Sequence, residues 1–173
     1  NWVGGIVPPE DASISFSNSP LNNCVLDGNK SLGNITIAEG TYKLVLNSNQ
    51  LTIKGNLNFT NGAQIDATAG SSSVVFNGTS AQILHSGDFY NNSIGSLTLN
   101  NGSGLTLNSD LIISNSLNLT AGTLTLGTSN LSVALITSTS GNLDASNSSA
   151  NLFFNNSNPL TLPSPLFTGS INN

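Results

Sequence analysis

Asp66, Asp88 and Asp110 stand at 22-residue intervals, and the chain carries one histidine, His85, and one cysteine, Cys24. Carboxylates in register on a coiled scaffold could hold calcium, contact a glycan, or act as acid and base on a sugar. Polysaccharide-cleaving enzymes of that kind need clustered carboxylates, or an Arg or Lys base beside calcium. This chain has no Arg. Asp110 falls where a matching earlier segment has Asn49 and Gln50, and Asp88 lies in the turn "HSGDF". All three aspartates read as turn residues, and no calcium-loop spacing of the EF-hand or RTX kind is present. His85 follows Ile83 and Leu84 with no acidic or nucleophilic neighbour in the pattern, so it reads as a turn or surface residue. Cys24 beside Val25 and Leu26 reads as a small buried hydrophobe. A lone cysteine gives no disulfide framework and no metal spacing. The sequence thus nominates no catalytic, metal or cofactor-binding residue, and we read the chain as a non-enzyme.

The elements around these residues explain why so little chemistry is on offer. Of 173 residues only 11 are charged, three Lys and eight Asp or Glu, for a net charge of −5. Asn, Ser, Thr and Gly make up about half of the chain, so amides and hydroxyls wet the surface. Phosphate tracking needs a basic stripe, which Lys30, Lys43 and Lys54 cannot supply, so nucleic acid is not an expected partner. No apolar run approaches a membrane span, so no membrane insertion by this segment is expected. Few charges and little Lys fit a secreted, protease-resistant surface. The hydrophobic fraction of 37% with regular spacing argues against disorder.

No stretch carries helical periodicity. Instead, short period-two runs recur, many of them Leu-x-Leu. The clearest pairs are Leu97 and Leu99, Leu105 and Leu107, Leu111 and Ile113, Leu117 and Leu119, Leu124 and Leu126, and Leu131 and Val133. Turns of Asn, Gly, Ser and Asp separate them. Strands this short suit neither a sandwich nor hairpins. They suit a solenoid, where each strand stacks on its equivalent in the next coil. Leu97 to Leu117 is 20 residues, Leu105 to Leu124 is 19 and Leu111 to Leu131 is 20. We therefore expect an all-β, right-handed parallel β-helix with about three strands per coil of roughly 20 residues. The outer letters of each triplet form the core ladder and the middle letter meets water. Eight or nine coils are expected, as is a rung at Leu160, Thr161 and Leu162, with Trp2 over one end. The outward series Thr98, Thr106, Ile112, Asn118, Thr125, Ser132 is no regular threonine array, which argues against ice binding. Asn-x-Ser/Thr sequons such as Asn34-Ile35-Thr36 are expected by chance in so Asn-rich a chain.

A larger repeat overlies the coil. The segment "LGNITIAEGTYKLVLNSNQLTIKGNLNFTNG" aligns with "IGSLTLNNGSGLTLNSDLIISNSLNLTAG". Gly33 matches Gly95, Gly40 matches Gly102, Leu51 matches Leu111, Leu57 matches Leu117 and Gly62 matches Gly122. Residues 73–96 likewise echo 151–173, with Phe89 matching Phe167. The expected organisation is an N-terminal cap with first rungs (1–31), a first β-helix unit (32–93) and a second unit (94–173) that stops at the start of a third.

The stretches "NWVGGIVPPEDASISF", "LTIKGNLNFTNG", "VVFNGTSAQIL" and "FYNNSIGSLTLNNGSGLTL" resemble the long repetitive surface proteins of Bacteroidota, including gliding-motility-type adhesins exported by type IX secretion. That resemblance implies an extracellular or cell-surface location and a structural or adhesive role. The chain would be a rod segment acting as spacer or multivalent adhesin. Its partners would be surface glycans or other cell-surface proteins, flanking repeats of the same chain, and copies of itself by end-to-end association. A carbohydrate-binding or carbohydrate-processing β-helix and a self-assembling extracellular filament subunit are the alternatives.

Overall fold

The computed structural model describes residues 7–16, 22–38, 40–60, 62–156 and 161–168. Among these, the chain forms sixteen strands and no helix, stacked in parallel as a β-solenoid of about six turns. Parallel pairing follows from the winding, because each strand meets its equivalent only after a full coil. Trp2 lies outside the described residues.

Each coil has three faces. On the first, the rungs are Ala12, Leu32, Ile53, Phe76, Leu99, Leu119 and Ser138, an unbroken series of partners. The third face is paired in every coil with one bulge: Cys24, Leu44 and Ile65 lead to Phe89, and past the bulge Ala67 leads to Ile94, Ile113, Val133 and Phe154. Its steps of about 4.8 Å give roughly 30 Å of rod. That is shorter than the eight or nine coils expected. Coils between Leu32 and Leu99 take 21–23 residues, and the outermost runs close no further rung. Thr161 and Leu162 form no strand, and Leu162 is exposed; Leu160 lies outside the described residues. Pro163 and Pro165 follow them and have no N–H to give a ladder.

The second face is interrupted. Ile14, Ile35 and Leu57 stack in register, and then the ladder stops. Strands Gln82–Leu84, Leu105–Leu107, Thr123–Thr125 and Asn142–Asp144 begin a separate four-stranded sheet on the same side. The cause is a change of corner. Strand Lys30–Ile37 runs through the first and second faces in one piece, with its corner at Gly33. After the break, strands Phe89–Asn100, Leu111–Ala121 and Asn130–Ser138 run through the third and first faces instead. A longer turn, residues 77–81, now separates the first face from the second, where residues 54–56 had sufficed.

This places sequence-equivalent residues one face apart. Leu32 is on the first face and its match Ile94 on the third. Leu57 is on the second face and Leu117 on the first. Phe89 is on the third and Phe167 on the second. Gly33 and Gly95 both mark the continuous corner, each packed on backbone of the coil before, at Asp11 and Ser72 respectively. The boundary between residues 93 and 94 falls inside a strand, so the two sequence units share one stack.

All twelve ladder residues, Leu97, Leu99, Leu105, Leu107, Leu111, Ile113, Leu117, Leu119, Leu124, Leu126, Leu131 and Val133, are buried, none more than 4% exposed. Burial of each such side chain contributes roughly 1.5–3 kcal/mol. Cys24 is buried as well. Asn side chains tie turns of successive coils together: Asn151 Nδ2 donates to Asn130 Oδ1 (2.8 Å), and Asn130 Nδ2 to Asp110 Oδ2 (3.0 Å).

A candidate ligand cleft at the ladder break

Where the second-face ladder stops, the surface steps and leaves a cleft of about 650 Å³. Its floor is the outer side of the earlier strands, with Thr36 and Asn58, bordered by the inward-packed Phe59; its wall is the turn His85, Ser86, Gly87 and Asp88 of the next coil. Thr36 and Asn58 are partners in register, so one hydroxyl and one amide stand a single rung apart. Gln64 tethers the wall, its Nε2 donating to the carbonyls of Gly87 (3.2 Å) and Phe89 (3.4 Å).

Gln82 seals the inner edge of the break. It is 3% exposed, and its Nε2 donates to the carbonyls of Ile53 (3.2 Å) and Gly55 (2.6 Å) in the preceding coil. Its Oε1 accepts from Gly78 N (3.3 Å) and Asn101 Nδ2 (3.0 Å). Both ends of the side-chain amide are used, which is what a buried polar group across a ladder fault requires.

The turn wall is held by Asp88. Its Oδ2 accepts from the His85 backbone N–H at 2.7 Å and lies 3.5 Å from His85 Nδ1. Burial pushes the Asp88 carboxyl above its ordinary range, against the downward pull of the His85 hydrogen bond. His85 therefore has the acidic neighbour that its sequence pattern did not suggest. The turn folds the carboxylate of Asp88, three residues on, back over its own start. His85 is an exposed turn residue and lines the cleft.

The three evenly spaced aspartates are engaged separately. Asp88 lines the cleft and Asp66 and Asp110 do not. Asp66, expected in a turn, sits in strand Gln64–Ala67, where its Oδ1 accepts from Thr68 N (3.2 Å) and Oγ1 (2.7 Å). Asp110 accepts from Asn130 N at 2.8 Å. Its hydrogen bonds from Asn130 hold the Asp110 carboxyl below its ordinary range. Among the described residues, no group of three or more His, Cys, Asp or Glu is placed to hold a metal ion.

Just past the cleft wall the backbone is strained. Asn91 and Asn92 take φ of 54° and 48°, inside strand Phe89–Asn100. They belong to a bulge between Phe89, opposite Ile65, and Ile94, opposite Ala67. Consecutive left-handed residues without glycine are costly, and asparagine tolerates that conformation better than most. Tyr90, in the same bulge, presents its ring to Lys43 Nζ, 2.9 Å from the centroid. Lys43 also approaches Asp66 at 3.9 Å, so its charge is engaged by these two groups.

The cleft is not legible in the sequence because stacking creates it. The signals that point to it are the lengthened turn 77–81 and the pair Asn91, Asn92. No family model, no curated protein and no solved structure matches this chain.

Proposed function

We propose that the chain is a rod segment of a long extracellular or cell-surface repeat protein, acting as spacer and multivalent adhesin. The observation that carries this reading is the unbroken stacking of the first and third faces. Successive coils are held by their neighbours, which makes a stiff, extendable element. A surface wetted by hydroxyls and amides, with 11 charges in the whole chain, supports exposure outside the cell and weak contacts repeated along an array. The resemblance to repetitive Bacteroidota adhesins supports the same location and the type IX export route.

Beads coated with the purified chain test the adhesive half. They are expected to adhere to polysaccharide-coated glass more than beads coated with an unrelated solenoid. Equal adhesion of the two bead types would overturn it. Antibody raised against the chain is expected to label intact source cells, and labelling only after permeabilisation would overturn the surface location. A carbohydrate-binding role is the second reading, favoured by the cleft at the ladder break.

A further inference from the structure

The geometry points to the cleft at the ladder break as a binding groove for a neutral oligosaccharide, which names the ligand class for the adhesive role and rests on that reading. Its volume of about 650 Å³ lies within the usual range of small-ligand sites. Among the described residues, no lysine lines it, and Lys43 is held by Tyr90 and Asp66. An anionic ligand would therefore find no lysine or arginine there, and the one imidazole in the lining, His85, stands 3.5 Å from the Asp88 carboxylate, which opposes an anion. A metal would find Asp88, already bonded to the His85 N–H, with no companion cluster among the described residues.

Two uncharged classes remain, a peptide strand and a saccharide. A peptide added at the break would need the free edge of strand Leu57–Phe59. Gln82 already occupies the Gly55 carbonyl ahead of that edge, and the strand behind it is only 3 residues long, too short a ladder to hold an added peptide strand. The open surface is the outer side of the earlier strands. There Thr36 and Asn58 offer hydroxyl and amide one rung apart and Ser86 stands on the wall, while half-buried Phe59, which packs inward on the core, borders the cleft at the strand's edge. Donors and acceptors so placed match the hydroxyls of a sugar chain lying across the rungs. Asn58 and Ser86 are exposed, so they can exchange water for ligand.

The test is an amide-resolved NMR titration of the ¹⁵N-labelled chain with cellohexaose, xylohexaose and mannohexaose. A hyaluronan hexasaccharide and the blocked peptide Ser-Leu-Thr-Leu-Asn-Asn serve as comparison probes. At least one neutral hexasaccharide should shift the amides of Asn58, Thr60, Ser86 and Gly87. The paired substitution Asn58→Ala with Ser86→Ala should weaken that binding about tenfold or more. Asn108→Ala, outside the cleft lining, should leave it unchanged. No shift with any neutral probe at about 10 mM, or shifts with the peptide or hyaluronan alone, would overturn the groove. Bead adhesion separates the two readings. Adhesion that persists without saccharide binding overturns the groove and leaves the adhesin. Saccharide binding by a chain whose beads do not adhere overturns the adhesin and leaves the groove.

Discussion

Leu97 and Thr98 are sequence neighbours in opposite environments: Leu97 is fully buried and Thr98 is half-buried between Val75 and Asn118. Leu97→Ala should cost about 2–5 kcal/mol, whereas Thr98→Ala should stay within about 0.5 kcal/mol. Urea unfolding of both variants checks this, and equal losses would contradict the inward–outward assignment. The aspartates predict opposite pH responses. Hydrogen bonds from Asn130 and Ser146 hold Asp110 and Asp144 below the ordinary value of 3.8. The stability they contribute is present above that value and is lost as pH falls through their folded pKa values. Asp88 is raised by burial, so its contribution is full below 3.8 and is lost as pH rises through its folded pKa. Asp88→Asn keeps an acceptor for the His85 N–H without the buried charge. Its stability relative to the parent chain should therefore be greater at pH 8 than at pH 3, read as the difference in urea midpoints.

At the scale of the element, the ladder break is the weak point of the stack and Gln82 its clasp. Gln82→Met should orphan the Gly55 carbonyl, leave the Ile53 carbonyl with only the Asn77 N–H, and cost about 1–3 kcal/mol, measured by urea unfolding. Strand Leu57–Phe59 pairs with one neighbour, whereas residues 117–119 pair with two. Amides of 57–60 should accordingly exchange with deuterium faster than those of 117–119, and equal protection would show that the break is not a weak point. The strands themselves were legible in the sequence, because Leu-x-Leu alternation reports which side chains face inward. Which face a triplet joins was not legible. Leu57 and Leu117 read alike, yet they occupy different faces, since the length of the preceding turns and not the triplet sets the phase of the coil. The cleft stayed hidden for the same reason: Asn58 and Ser86 are brought together by that phase change and not by any local pattern.

For the whole molecule, the consequence is that two similar sequence units build one stack with a third of a turn between them. A surface feature carried by the repeat would then lie on a different side of the rod in the next unit. That distribution suits an adhesive array, which meets its partners from several directions, and it leaves the core continuous on the first and third faces. Disulfide trapping tests this phase change most directly. In a Cys24→Ser background, paired cysteines report which outward residues are ladder neighbours, because adjacent rungs place Cα atoms about 4.8 Å apart, within disulfide reach. Val75 is the partner of Thr52 on the first face, while Asn58 stands on the second. Were the two units in phase, Val75 would instead follow Asn58, because Thr98, its partner in the next coil, is the sequence equivalent of Thr36. Thr52→Cys with Val75→Cys should close an intramolecular disulfide under mild oxidation, and Asn58→Cys with Val75→Cys should remain reduced. Ready closure of the second pair and not the first would mean that the two units stack in phase, and would contradict the rotated arrangement.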